Sequence, residues 1–183
     1  AFALSFDMAA HVEALTRDGY PRVQANTAAV NAYRGNLRIF EMILRMLRAG
    51  PGPLLLGAVG NDSLRVISPA FETGPAAPAA ATGVLSMGAC GPGPDGLEPA
   101  VFSNAGPALL APGVGIVSAG PGGGLRSLNG SSMACALAAG VAALWVERMR
   151  RDGAEVTAQT LAAKLVSTAT RQGLSPGLTL LDC

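Results

Sequence analysis

From Ser127 to Val146 the chain carries no charged side chain, and the run changes character partway along. Asn129-Gly130-Ser131-Ser132 comes first, then mostly Ala, Leu, Gly and Val. This segment limits the fold more than any other. It reaches the length of a membrane span, but its asparagine, serines and glycines suit a buried core helix better. That helix is expected from about Ser132 to Arg151. Ala134, Ala136, Ala138, Ala139, Gly140, Ala142 and Ala143 make it narrow, so neighbouring backbone can approach closely through the centre of a domain.

The rest of the chain supplies such neighbours. Residues 1–5 read as a short buried strand. Apolar residues recur at helical spacing from Met8 to Leu15 and again from Val23 to Leu47, with Pro21 between them and Gly50-Pro51-Gly52-Pro53 after them. Leu54–Val59, Val84–Ala89, Val101–Ser103, Leu109–Ala111 and Val114–Ala119 are strand candidates. Residues 64–82 form a loop rich in Pro, Ala and Gly, and Gly91–Gly96 and Gly120–Gly124 read as turns. A last helix runs from about Thr157 to Ala169. Strands alternating with helices predict an α/β domain with a largely parallel sheet flanked by helices.

Composition excludes several functions. With 50% hydrophobic and 14% charged residues the chain has material for a packed core. A net charge of +1 and no basic stripe interleaved with aromatics give no reason to expect a nucleic-acid partner. Cys90, Cys135 and Cys183 are odd in number and lack metal-ligand spacing, so neither a zinc site nor a disulfide framework is expected. Nothing assigns a compartment, and no membrane partner is expected. The chain opens on Ala1-Phe2-Ala3-Leu4, an apolar run that suggests a cut through a larger protein.

The candidate nucleophile is Ser132. Gly130 permits a sharp turn just before it, and the positive end of the following helix lies close to its oxygen, where an oxyanion would develop. Ser131 or Ser132 acting only as a helix N-cap explains the same window equally well. An α/β-hydrolase elbow requires a histidine after the serine, whereas the one histidine, His11, lies far upstream. Lys164 as a partner base fits less well than a solvated lysine. Gly120–Gly124 lacks the Gly-Lys-Ser/Thr of a phosphate loop.

Six blocks in order resemble the subtilase family. They are Gly57-Ala58-Val59-Gly60-Asn61, Ser68-Pro69-Ala70, Val84–Ala89, Val101–Pro107, Leu110–Ser118 and Asn129–Ala134 with Ala139–Leu144 behind it. The resemblance implies a subtilisin-like fold, here incomplete because the N-terminal part of the domain is missing. Residues 1–183 would then be the C-terminal portion of a catalytic domain, with a helical insertion at about 8–50. It implies a serine endopeptidase acting on protein or peptide substrates, with Ser132 as nucleophile and Asn61 as oxyanion donor. By the same resemblance Ser5, Phe6 and Gly60 line the substrate cleft, although the family's glycine after Ser5 is absent.

The family's triad runs Asp, His, Ser. Neither the Asp-x-Gly nor the His-Gly-Thr motif is present, and His11 follows the Ser5 strand instead of preceding it. A missing N-terminal part is therefore expected to supply both partners; the alternative is a non-catalytic scaffold or binding module. The motif proline is replaced by Ala136 and its histidine neighbour by Leu137. Calcium binding and an extracellular location follow from family habit alone. No acidic cluster supports the former, and Asp62 and Asp95 read as turn residues.

Overall fold

The structure is a computed structural model that describes residues 6–47 and 52–169. The strand expected at residues 1–5, and Ser5 with it, lies outside the described residues. Helix α1 spans Met8–Arg17, opened by Asp7, whose carboxylate accepts from the Ala10 amide at 2.8 Å. Helix α2 runs Arg22–Leu47 in one piece and buries Ala25, Ala29 and Leu44. The pair fills the two helical windows of the sequence almost residue for residue.

The central sheet is built from β1 (Leu56–Ala58), β2 (Leu85–Gly93), β3 (Gly96–Pro99) and β4 (Leu109–Pro112). β1 and β4 flank β2 and both run parallel to it, while β3 pairs antiparallel with its far end. The largely parallel sheet is thus present, with two corrections to the expected strands. Gly91-Pro92-Gly93 continues β2, and only Pro94-Asp95 make the turn into β3. Pro92 carries no N–H, yet it stands opposite Leu97 in that short hairpin. Val101–Ser103 is a turn, held where the Ser103 amide reaches the Ala100 carbonyl at 2.8 Å. A separate hairpin joins β5 (Ile116–Ala119) to β6 (Leu125–Leu128), the latter unforeseen because its Arg126 and Ser127 interrupt the apolar pattern.

Helix α3 spans Ser131–Arg151 and packs on β1, β2 and β4; α4 (Ala158–Thr168) packs on α3. Ala134, Cys135, Ala138 and Ala142 face Leu56, Ala58, Met87, Ala89 and Ala111. The small side chains on both sides bring helix and sheet together. At its tightest, a Cβ on Gly113 would lie 2.5 Å from Ala89 Cβ and 2.8 Å from the Gly130 carbonyl. α3 is long and apolar enough by composition to cross a membrane, yet one face of it serves as the core helix of this sheet. Lys164 is half-buried, not freely solvated, its ammonium 4.6 Å from the centroid of Trp145.

Candidate active site

The parallel strands β1 and β4 deliver their C-terminal ends to one place, where open α/β sheets commonly carry their sites. β1 runs into Val59-Gly60-Asn61, and β4 runs into Gly113, whose carbonyl accepts from the Gly130 amide at 2.8 Å. Gly130 is the N-cap of α3, and it offers no side chain to the first helical N–H groups. The cap comes instead from another strand end: the Ser131 amide donates to Asn61 Oδ1 at 2.8 Å. An N–H donor demands the oxygen of that amide, so Nδ2 is the atom left to serve as a donor at the helix start.

Ser131 does not cap the helix with its own hydroxyl. Fully buried, it accepts from the Gly60 amide at 3.1 Å and donates to the Gly60 carbonyl at 3.2 Å. Two hydrogen bonds through Gly60 and one through Asn61 therefore lock the β1 end to the α3 start. Ser132 occupies the second position of α3 and is half-buried. The candidate nucleophile, the candidate oxyanion donor and Gly60 are thus brought together by Ser131, whose place in the motif marks it only as the predecessor of the nucleophile.

Asn104 organises the other side of the loop. It is 1% exposed. Its Oδ1 accepts from the Asp62 and Ser63 amides at 2.7 and 3.1 Å. Its Nδ2 reaches the Val59 carbonyl, Asp62 Oδ2 and the Gly74 carbonyl at 3.1, 3.0 and 3.2 Å. Two hydrogens shared among three acceptors make a bifurcated arrangement. The Asn104 amide also donates to the Gly60 carbonyl at 3.1 Å. Neighbouring Ser103, equally buried, accepts from the Ala89 amide at 3.0 Å through its hydroxyl. Asn104 sits in the Val101–Pro107 block, where the sequence pattern assigns it no role. The available signal was the polar pair Ser103-Asn104 between Phe102 and Ala105, which must be hydrogen-bonded if buried.

Gly60 has a φ of +106°, and a Cβ there would lie 2.5 Å from Asn104 Nδ2. Gly60→Ala is expected to cost about 2–4 kcal/mol, from left-handed strain plus overpacking. Urea denaturation should show a lower midpoint at unchanged m-value, and an unshifted midpoint would refute this geometry.

Phe6 stands apart from this cluster. Its amide donates to the Ala77 carbonyl at 3.3 Å, and its ring lies 5.6 Å from His11 and 6.4 Å from Tyr33. His11 is a half-buried packing residue of α1. The Tyr33 hydroxyl donates to the Pro75 carbonyl at 2.8 Å, tying α2 to the segment whose Ala76 amide reaches the Val59 carbonyl at 2.8 Å. Burial holds the Tyr33 phenol above its ordinary range, so it stays protonated and donating in the folded state. Ser68-Pro69-Ala70 lies in an exposed turn region of the 64–82 loop. Among the described residues no three His, Cys, Asp or Glu side chains group as metal ligands.

The sequence matches the model of the subtilase family over residues 10–179. A stretch of 51 residues is 55% identical to subtilisin-like protease 5 of Trichophyton tonsurans, covering 27% of this chain and 13% of that protein. Over 96 residues the chain is 42% identical to subtilisin-like protease 1 of Arthroderma otae, covering 50% of this chain and 17% of that one. Among solved structures, the prenylagaramide maturation protease PagA is similar at 32% identity and a TM-score of 0.59, over 71% of this chain and 45% of PagA. The PatG macrocyclase domain follows at 27% identity and 0.56, over 73% of this chain and 38% of that domain. The chain therefore spans less than half the length of these relatives.

Proposed function

This chain belongs to the subtilase family, and on that premise we propose that it carries the nucleophile and oxyanion donor of a serine endopeptidase. Ser132 attacks the scissile carbonyl and forms the acyl-enzyme. Asn61 Nδ2 donates to the oxyanion. The catalytic His and Asp come from the rest of the domain in a longer parent, since neither motif occurs in these 183 residues. Peptides or proteins are the substrates.

The observation that carries this reading is the Asn61–Ser131 contact. Held by its oxygen to the Ser131 amide, the side chain has its nitrogen left to donate at the helix start, as an oxyanion donor must. The incomplete-domain reading has its own support. Along α3 the side chains of Leu137, Val141 and Leu144 are 42%, 48% and 66% exposed, and they recur at helical spacing on the flank beside the packed face. Among the described residues β1 pairs with β2 alone. A helix face this apolar and a sheet edge left open both fit further domain structure packed against them. On this reading α1 and α2, within about residues 8–50, form an insertion.

The test uses the full-length parent. A fluorophosphonate probe should label Ser132 stoichiometrically, and labelling should vanish in Ser132→Ala. A parent that folds but takes no label would support the scaffold reading instead, which the replacement of the motif proline by Ala136 favours. Asn61→Ala should lower kcat by about 10²–10³-fold with little change in KM, the range known for loss of a single oxyanion donor in subtilisin itself. An equal rise in KM at constant kcat would remove Asn61 from the transition state.

A further inference from the structure

The loop that follows β1 is held at its far end by a charge. Arg65 Nε donates to Glu72 Oε1 at 2.5 Å, and its Nη1 reaches the Ala100 and Ser103 carbonyls at 3.3 and 2.7 Å. The Arg65 amide adds a bond to the Val101 carbonyl at 3.3 Å. The Arg65 side chain is 19% exposed, and Ala100 and Ser103 are buried. These charge-assisted bonds are therefore largely shielded from water, where they hold best. One guanidinium spans a carboxylate and two carbonyls because its nitrogens stand apart in a rigid planar fork. An ammonium gathers its donors on a single nitrogen.

The Ser103 carbonyl is the acceptor that connects Arg65 to the site. It belongs to the same peptide group as the Asn104 N–H, which donates to the Gly60 carbonyl at 3.1 Å. That Gly60 carbonyl also accepts from the Ser131 hydroxyl at 3.2 Å. A single planar peptide group thus carries the guanidinium on one edge and Gly60 on the other. A cation on its oxygen polarises the group and strengthens its N–H as a donor. Gly60 directly precedes Asn61, whose side chain is fixed at the Ser131 amide.

We propose that Arg65 is a positioning residue for the oxyanion donor. Its guanidinium fixes the Ser103–Asn104 peptide group, and through it the Gly60–Asn61 corner. Asn61 as the donor rests on the peptidase reading above; the clamp rests on the contacts of Arg65. Glu72 aims the guanidinium from outside by holding Nε, which leaves Nη1 for the two carbonyls.

The test is a double-mutant cycle in the full-length parent. Arg65→Lys keeps the charge and loses the fork, and it should lower kcat about tenfold with KM nearly constant. In an Asn61→Ala background the same change should lower kcat by less than about twofold, because the donor it positions is already gone. Equal losses in the two backgrounds, or no loss in either, would overturn the proposal. Glu72 is exposed, so Glu72→Ala tests the same clamp even where Arg65→Lys fails to fold. It should lower kcat about threefold when Asn61 is present and leave it unchanged when Asn61 is absent. Amide hydrogen exchange gives a readout that needs no turnover. The Gly60 N–H, bonded to the Ser131 hydroxyl, should exchange about tenfold faster in Arg65→Lys or Glu72→Ala, while Ala138 and Ala142 in α3 keep their rates. An unchanged Gly60 rate, or an acceleration shared by those helix amides, would overturn the clamp. A parent whose Ser132 takes no fluorophosphonate label would sink the peptidase reading, and the exchange rates would still decide whether Arg65 holds Gly60.

Discussion

Replacing Ser132 by alanine in the full-length parent is expected to lower kcat by about 10⁶-fold while KM stays nearly constant, the magnitude known for loss of the nucleophile in subtilisin itself. The expectation follows from where Ser132 stands. It occupies the second position of α3, half-buried, one residue beyond the contact that fixes Asn61. If Ser132 is the nucleophile proposed above, removing its hydroxyl removes the acyl-enzyme route but leaves Ser131, Gly60 and Asn61 in place. Oxyanion stabilisation and substrate binding should then sustain only a small residual rate. Circular dichroism should match the wild type, because the Gly60–Ser131 lock does not use the Ser132 hydroxyl. Turnover within tenfold of the wild type would place the nucleophile elsewhere.

The largest stability effect is expected at Asn104. Asn104→Ala deletes an amide that serves the Asp62 and Ser63 N–H groups and the Val59 and Gly74 carbonyls at once. Asn104 is buried with Val59 and Ser63, whose groups lose partners that solvent replaces poorly, while Asp62 and Gly74 are exposed and can turn to water. A loss of about 3–5 kcal/mol is expected, with Tm lower by roughly 10 °C in a chain of this size. Asn104→Asp separates the two halves of the amide. Its carboxylate still accepts from Asp62 and Ser63, but it now opposes the Val59 and Gly74 carbonyls and the Asp62 carboxylate. Those neighbours raise the folded-state pKa of the new acid, so the folded form binds its proton more tightly than the unfolded chain. Its deficit should be small below about pH 4 and should grow as pH rises above that. Thermal melts at two pH values measure this, and a pH-independent deficit would contradict the arrangement.

The helices were legible from the chain. Met8–Arg17, Arg22–Leu47, Ser131–Arg151 and Ala158–Thr168 agree with the periodic windows to within a residue or two, because a helix declares itself through local spacing and nearby stop signals. The strands were less so. β3 and β6 carry Glu98 and Arg126 in four-residue runs whose partners lie across a turn, and Val101–Ser103 had strand-like residues but no ladder to join. Strand formation depends on an available neighbour as much as on composition.

The site divides in the same way. Gly60, Asn61 and Ser132 stand in short motifs, and Phe6 in a thinner likeness. Their residue types and order along the chain were enough to assign the family. What they do to one another was decided by folding. Ser131 meets Asn61 across 70 positions of sequence, and Asn104 reaches back 45 positions to Val59. A motif records which groups are present. Which group caps a helix that lacks its own cap, and which buried amide satisfies a loop's exposed N–H and C=O groups, depends on the parallel packing of β1, β2 and β4 beneath α3.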